Sequence, residues 1–451
     1  MSKSADQTAT AAIILAAGLG TRMKSDLPKV LHPLAGRPMI LGLLESVAEI
    51  GAAPAVVVVS DERVADAVAP HPTARQGEQL GTGHAVLQAR DALTGFDGNV
   101  LILFGADPLI TPDTLQAMLA RRRAEDAPGV VVLGFRPHDP ALYGRLVCND
   151  AGMLEGIVEA RDATPSQLEI GLCNSGVMCV DGRLLFSLLD RVGNDNAKGE
   201  YYLTDIVALA RADGLGCAVI EGDAEELIGI DDRIDLARAE TIMQNRLRER
   251  AMQGGATLID PASVTFSFDT SLGQDVTIGP NVVFGPGVDI SNGVTIRPFC
   301  HIEGASVADG AVIGPFARLR PGAKLAENVR VGNFVEIKNA TLETGAKVNH
   351  LTYVGDARVG EAANIGAGTI TCNYDGFAKH FTDIGAGAFI GSNTALVAPV
   401  KIGDGAIIGA GSTIAKDVAG DALAVTRATQ RQVDGWAGKF RSTKKAKKDK
   451  A

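Results

Sequence analysis

The sequence predicts two domains of different class, an α/β domain built on a parallel sheet and, after it, a parallel β-helix. Three observations lead there. From residue 11 to about residue 230, short unbroken aliphatic runs alternate with helix-length segments, the pattern of strands buried on both faces and joined by crossover helices. From Ile278 onward aliphatic residues recur at every sixth position over long stretches; a helix repeats at about 3.6 residues and a flat strand at about two, so neither explains the period. Between these regions, Leu236, Ala239, Met243 and Leu247 fall at three- and four-residue steps among Arg, Glu and Gln, which is one amphipathic helix.

The bulk numbers agree. At 451 residues the chain exceeds the roughly 250 to 300 at which a single core stops growing. It is 46% hydrophobic and 21% charged, so it has apolar surface to bury and is globular rather than disordered. With 53 glycines and only 4% aromatic residues, the expected core is built of small aliphatics between many tight turns. A formal net charge of −10 argues against nucleic-acid binding, which needs a basic surface. No apolar run reaches membrane length and no signal segment is present, while Cys148, Cys173, Cys179, Cys217, Cys300 and Cys372 lack paired metal-ligand spacing. A cytoplasmic protein with free thiols and no membrane partner is expected.

Taken in order, Ala11–Ala17, Ala55–Ser60, Val100–Phe104 and Val130–Phe135 read as buried strands. The first domain is expected over 1–231 and a helical arm over 232–253, closed by Gly254 and Gly255, with a helix packed onto either domain as the alternative. A β-helix follows over 254–436. Its inward positions are Ile278, Phe284, Ile290, Ile296 and Ile302, then Val307, Ile313, Leu319, Leu325, Val331 and Ile337, then Ile384, Ile390, Leu396, Ile402, Ile408 and Ile414. One hexapeptide per flat face and three faces per coil account for them. Thr371–Asp383 interrupts the period, and a loop projecting from a regular solenoid is a usual place for function. Residues 437–451 are read as a disordered basic tail to which no function is assigned.

Two clusters could carry chemistry. The first strand runs into Leu15, Ala16, Ala17, Gly18, Leu19, Gly20, Thr21 and Arg22, with Lys29 shortly after. This lacks the third glycine of a dinucleotide fingerprint and the terminal Lys-Ser/Thr of a P-loop. What remains is a glycine loop whose N–H groups can approach a phosphate chain, a following helix N-terminus, and two cations that can neutralise charge in phosphoryl transfer. A merely structural strand-to-helix turn would explain the glycines but not the cations. In the second domain, Arg320, Lys338, His350, Tyr353, Asn364, Asn373 and Tyr374 gather on a scaffold that needs no cations at coil positions. Cations with no nearby acidic run imply an anion, and His350 is the candidate base, histidine being poised for proton transfer near neutral pH.

The string LAAGxGTRM followed by LPKVL resembles the sugar-nucleotidyltransferase family. Gln76–His84 (QGEQLGTGH), Tyr143-Gly144-Arg145, Ile157-Val158-Glu159, Asn174-Ser175-Gly176 and Gly199–Asp205 (GEYYLTD) narrow it. Together they are similar to the family of bifunctional N-acetylglucosamine-1-phosphate uridylyltransferases / glucosamine-1-phosphate acetyltransferases, from about residue 11 to about residue 436. That resemblance implies a Rossmann-like α/β nucleotidyltransferase domain and a left-handed parallel β-helix of hexapeptide repeats, assembled as a homotrimer. It implies UTP, acetyl-CoA and glucosamine 1-phosphate as substrates and Mg²⁺ as cofactor. It further implies Gln76, Gly81 and Thr82 on the uracil; Gly144, Glu159 and Asn174 on the sugar; Arg320, Lys338, Tyr353 and Asn364 on the sugar phosphate; and Ala367, Asn373, Tyr374, Ser392, Ala410 and Arg427 around acetyl-CoA. The chain departs from the family at Phe104-Gly105-Ala106-Asp107-Pro108, where the family's metal-holding aspartate stands one place earlier. Its usual partner asparagine corresponds to Asp231, which a hard cation accepts equally well. Asp107 with Asp231 is the candidate metal pair, with a plain turn before Pro108 as the alternative for Asp107. Two other readings stay open: an active first domain carrying the β-helix only for assembly or regulation, and a binding scaffold on an inactive transferase fold.

Overall fold

The computed structural model describes residues 9–140, 143–196 and 198–449. It divides into two compact units, the first ending at Leu247 and the second beginning at Arg248.

In the first unit the strand Thr10–Ala16 sits inside a nine-stranded sheet ordered Cys217–Glu221, Val130–Phe135, Cys173–Asp181, Asn99–Phe104, Thr10–Ala16, Ala55–Val59, Thr73–Arg75, with Arg145–Cys148 and Leu154–Val158 as a side hairpin. Every residue of Thr10–Ala16 is buried, because Ala12 and Ile14 join the core on one face while Ala11 and Ile13 join the core on the other. An unbroken aliphatic run is what a doubly covered strand requires. The chain leaves Thr10–Ala16 to one side for Ala55–Val59 and returns on the other for Asn99–Phe104, so the carboxyl ends of these strands flank a topological switch point, where ligands of open α/β sheets bind. The expected all-parallel sheet is corrected at one place: Cys173–Asp181 runs antiparallel to both its neighbours. Its mixed run CNSGVMCVD, with polar residues at one end, gave no directional signal.

The helix Arg233–Gln253 forms where the three- and four-residue period placed it. Up to Leu247 it is part of the first unit: Ala239 is buried against Leu34, Met39, Leu109 and Ile230, with Leu236 and Met243 packed on the same cluster. Of the two readings, a rigid arm or a helix packed on a domain, the packing of these residues matches the second.

The second unit is a left-handed β-helix with parallel strand pairing throughout its coils. Ile278 pairs with Ile296 and Ile296 with Ile313, steps of eighteen and seventeen residues, one coil each. All the hexad aliphatics from Ile278 to Ile337 and from Ile384 to Ile414 are buried. Each fully buried one contributes about 1.5 to 3 kcal/mol, so the stack supplies its own core without long-range sheet pairing. Across the interruption the step lengthens: Val359 pairs with Ile384, Ile365 with Ile390 and Thr371 with Leu396, twenty-five residues each. The extra seven residues leave as a loop and the register resumes. The segment read as a disordered tail is corrected over Trp436–Lys448, which is an α-helix with no buried residue; residues 450–451 lie outside the described part.

Candidate active sites

The glycine loop follows Thr10–Ala16 directly. Gly20 has φ +60°, and a Cβ there would stand 2.8 Å from the Lys29 Cβ, so glycine is what lets the loop fold against Lys29. The helix N-terminus expected after the loop is absent: Thr21–Met23 and Lys29–Leu31 are single 3-10 turns, and the next α-helix begins only at Met39. The clustered Gly, Pro and Asp between residues 18 and 28 break any helix early. Attraction for an anion therefore rests on loop N–H groups and on the cations.

Those cations converge. Arg22 Nη2 lies 2.9 Å from Asp231 Oδ2 and Lys29 Nζ donates to Asp231 Oδ1 at 3.0 Å. The Arg22 side chain is 68% exposed, Lys29's 19%. An exposed pair of this kind is worth about 0 to 1 kcal/mol, so a multiply charged phosphate chain can draw Arg22 away from Asp231 at small cost.

Two adjoining cavities open here. One, of about 230 Å³, is lined by Leu15, Ala16, Ala17, Gly18, Lys29, Gln76, Gly81, Thr82, Phe104, Ala106 and Glu200. The other, of about 460 Å³, is lined by Arg22, Thr82, Phe104, Glu159, Asn174, Lys198, Glu200 and Tyr202 among others. Thr82, Phe104 and Glu200 belong to both. The residues expected on a base thus fall in the smaller cavity, and Glu159 and Asn174, expected on a sugar, in the larger. Gly144 accepts from the Asn174 N–H at 2.8 Å through its carbonyl, holding Asn174 in place. Gly81, at φ +111°, would place a Cβ 2.6 Å from the Tyr201 carbonyl oxygen; glycine is obligatory for this close approach. Burial raises the Glu159 carboxyl above its ordinary range, with Lys198 opposing. Arg161, Lys198, Glu200 and Tyr202 line the larger cavity without having been singled out. Glu200 and Tyr202 fall in the string GEYYLTD, while Arg161 and Lys198 lie outside it.

Asp107 is 7% exposed and borders neither cavity, whereas Ala106 lines the smaller one. The Asp107 N–H donates to the Phe104 carbonyl at 3.0 Å, closing a turn. Its carboxyl is pushed up to about 7 by burial, with Lys29 pulling down and the Asp231 charge adding to the rise. Two carboxylates within electrostatic reach of each other fit a hard divalent cation, which takes one or two carboxylates from a protein and completes its shell with water and phosphate oxygens. Among the described residues no group of three or more His, Cys, Asp or Glu is gathered to hold a metal.

In the second unit register does the positioning. Asn333 pairs with His350 on adjacent coils, and Asn333 Oδ1 lies 2.8 Å from His350 Nδ1. The oxygen can only accept, so the proton sits on Nδ1 and Nε2 carries the lone pair. Thr352 Oγ1 donates to the His350 carbonyl at 2.7 Å. The expectation that the cations lacked acidic neighbours is corrected: Arg320 Nη1 donates to Glu336 Oε1 at 2.8 Å, and Lys338 acts on Asp356. Asp356 is buried. Burial alone would raise its carboxyl, but hydrogen bonds from Asn339 and Asn373 and the Lys338 and Lys379 charges hold it below the usual range. Lys338 also lies against Lys379 of the projecting loop, which lowers the Lys379 amine. Two ammonium groups side by side are a ready place for a phosphate. Tyr353 OH reaches Asn373 Nδ2 at 3.5 Å, and Asn364 pairs in register with Lys347 and Phe389.

Ala367, Ser392 and Ala410 recur at one corner of successive coils: the Asn393 N–H donates to Ala367 O, the Gly411 N–H to Ser392 O and Arg427 Nη1 to Ala410 O. Tyr374 is exposed on the loop, its OH bonded to Gly376 O at 2.6 Å. Sequence reasoning missed an exposed ladder beside His350. Phe299, Phe316 and Phe334 stack with ring centroids 4.8 and 5.2 Å apart, and Leu351 takes the same left-handed corner in the next coil. Aromatics recurring at one corner in a chain with 4% aromatics were the signal.

A nucleotide-type α/β sheet and a hexapeptide solenoid, each with its own cation-lined site, define a two-part transferase. Residues 12–170 match the MobA-like NTP transferase domain family, and 269–304 and 381–416 match the bacterial transferase hexapeptide family of six repeats. The chain is 68% identical over 437 residues to the bifunctional protein GlmU of Rhodospirillum rubrum, covering 96% of this chain and 98% of that protein. It is 63% identical to the GlmU of Paramagnetospirillum magneticum, covering 97% and 99%, and 56% identical to that of Sphingopyxis alaskensis, covering 97% and 98%. The chain belongs to the family of bifunctional GlmU proteins.

Proposed function

We propose that the two reactions of UDP-N-acetylglucosamine synthesis run at two sites that share no residue, one in each unit. The chain is a glucosamine-1-phosphate N-acetyltransferase and an N-acetylglucosamine-1-phosphate uridylyltransferase. The observation that carries the assignment is that each unit pairs an anion-attracting cluster with the group its chemistry needs: Arg22 and Lys29 at a glycine loop in one, His350 oriented by Asn333 in the other.

In the β-helix, Arg320, Lys338, Tyr353 and Asn364 hold the sugar phosphate, and Ala367, Asn373, Tyr374, Ser392, Ala410 and Arg427 the acetyl-CoA. The amine of glucosamine 1-phosphate attacks the thioester carbonyl, His350 Nε2 takes the amine proton, and the CoA sulfur leaves. In the first unit Gln76, Gly81 and Thr82 hold the uracil, Gly144, Glu159 and Asn174 the acetylated sugar. The sugar phosphate oxygen attacks the α-phosphorus of UTP in line, the bond to the β-phosphate oxygen breaks, and pyrophosphate leaves. Lys29 and Arg22 offset the charge that gathers on the phosphoryl oxygens, Arg22 exchanging Asp231 for the phosphate chain. Mg²⁺, when bound, would be held by Asp107 and Asp231 and would supply further charge neutralisation.

The exposed ladder of Phe299, Phe316, Phe334 and Leu351 supports a homotrimer formed through the β-helix, since stacked apolar side chains on one edge of a solenoid favour burial. No helix among the described residues is long and apolar enough to cross a membrane, and a cytoplasmic location with small-molecule partners is the reading kept. The test is to incubate the pure protein with glucosamine 1-phosphate, acetyl-CoA, UTP and Mg²⁺, following free thiol and pyrophosphate separately. Both are expected. Pyrophosphate from added N-acetylglucosamine 1-phosphate with no thiol release would reduce the β-helix to an assembly module.

A further inference from the structure

We propose that His84 is a positioning residue for nucleotide selection, fixing which end of the Gln76 amide faces the smaller cavity. The proposal rests on the reading of that cavity as the site of the nucleotide base. Gln76 is buried, 4% exposed, and lines the cavity. Its Nε2 lies 3.2 Å from the Gly81 carbonyl oxygen and 3.1 Å from His84 Nδ1. A carbonyl oxygen only accepts, so the atom facing it must be the amide nitrogen. The second amide hydrogen then goes to His84 Nδ1, which must offer its lone pair.

A neutral imidazole has a single lone pair, and Gln88 Nε2 also stands near the ring, 3.2 Å from Nε2. Gln88, half-buried, keeps its nitrogen satisfied on the His84 carbonyl at 3.0 Å, so Gln76 can hold the Nδ1 lone pair without loss elsewhere. Flipping the Gln76 amide would set its oxygen against the Gly81 carbonyl oxygen, and would suit His84 only if the imidazole moved its proton to Nδ1. Among the described residues Gln76 Oε1 has no protein partner, and the Gly81 N–H donates to no backbone carbonyl outside its helix.

The lock therefore leaves the cavity an acceptor from Gln76 beside a donor from Gly81. Uracil presents a ring N–H beside a carbonyl oxygen and matches that pair. Cytosine presents a bare ring nitrogen beside an amino group and opposes it at both points. His84 is not among the residues that line the cavity. It is the third residue of the helix Thr82–Leu87, whose start is tied to the neighbouring segment by Gly83 N–H to Tyr201 O at 2.8 Å and Tyr201 N–H to Leu80 O at 2.8 Å. The imidazole is thus held by a rigid frame, as a positioning group must be.

The experiment measures uridylyl transfer by the full chain with UTP and with CTP. His84→Ala is expected to raise KM for UTP about tenfold, to leave kcat within about twofold, and to narrow the preference for UTP over CTP about tenfold, the loss of one oriented hydrogen bond. His84→Asn, whose carbonyl oxygen can stand close to where Nδ1 stood, should recover most of that selectivity. A uridylyl-transfer kcat kept within about twofold in both shows that the unit carrying His84 folds. In a double-mutant cycle, His84→Ala should add nothing once Gln76 is alanine. Unchanged KM and selectivity in His84→Ala, or additive losses in the cycle, would overturn the positioning role. If Gln76→Ala itself left KM and selectivity untouched, the base-site reading would fall and the proposal with it.

Discussion

The two units solve the same problem, gathering cations and a directed polar group around a phosphorylated sugar, by opposite routes. In the β-helix, neighbours in space are neighbours at a fixed sequence interval: Asn333 meets His350 seventeen residues on, because each coil repeats the last. In the α/β unit, Lys29 meets Asp231 across 202 residues, and nothing in the local sequence announces it. A solenoid writes its site in arithmetic. An open sheet writes it in topology, at the ends of strands whose order must first be known.

The sharpest way to break the comparison is to remove the one group with no substitute on its own coil. His350→Ala should lower acetyl transfer by about 10² to 10⁴ and leave uridylyl transfer unchanged, since the sites share no residue. Parallel assays of thiol and pyrophosphate decide it. Equal loss in both would mean misfolding, and no loss would remove His350 as the base.

Legibility followed the same division. The hexad aliphatics, the projecting loop and the His350 cluster could be read because the period fixes which side chains point inward and which stack. The Phe299–Phe316–Phe334 ladder obeys the same arithmetic and went unread only because attention stayed on polar residues. In the first unit the glycine loop was legible from its composition. The antiparallel strand Cys173–Asp181 and the grip of Asp231 on Arg22 and Lys29 were not. Each depends on which distant segment pairs with which, and local propensity carries no trace of that. The acids beside Arg320 and Lys338 were misjudged for a related reason. Glu336 and Asp356 lie sixteen and eighteen residues from them, far along the chain and adjacent in the coils.

The ladder sharpens the contrast through the proposed trimer, which would join copies through the β-helix and not through the α/β unit. Phe334→Asp puts a charge in the middle of the stacked apolar edge. A buried aromatic at the centre of an interface is worth at least about 2 kcal/mol, so self-association should weaken about 30-fold or more. Light scattering at micromolar concentration should then show smaller species, with acetyl transfer falling and uridylyl transfer kept. A trimer that persists with full acetyl transfer would place the interface on another edge.

The remaining effect concerns the shifted acid, and it is a matter of proton linkage. The Asp107 carboxyl is raised to about 7 in the folded protein from an ordinary 3.8, chiefly by burial. A raised carboxyl contributes its stabilisation fully below the unfolded value and loses it as pH climbs to the folded one, so wild-type stability should decline between about pH 4 and pH 7. Three units correspond to at most about 4 kcal/mol. Asp107→Asn, which cannot ionise, should lack that decline: in metal-free buffer its melting temperature should exceed the wild type's by a few degrees at pH 8 and match it near pH 4. Mg²⁺ works in the other direction. A cation that binds the ionised pair stabilises the wild type at pH 8 by mass action and should leave the variant nearly unmoved. Melting curves at two pH values with and without Mg²⁺ separate the possibilities. A gap at pH 8 that Mg²⁺ does not close would show that Asp107 is a buried turn residue, and that Asp231 holds the metal with some other group.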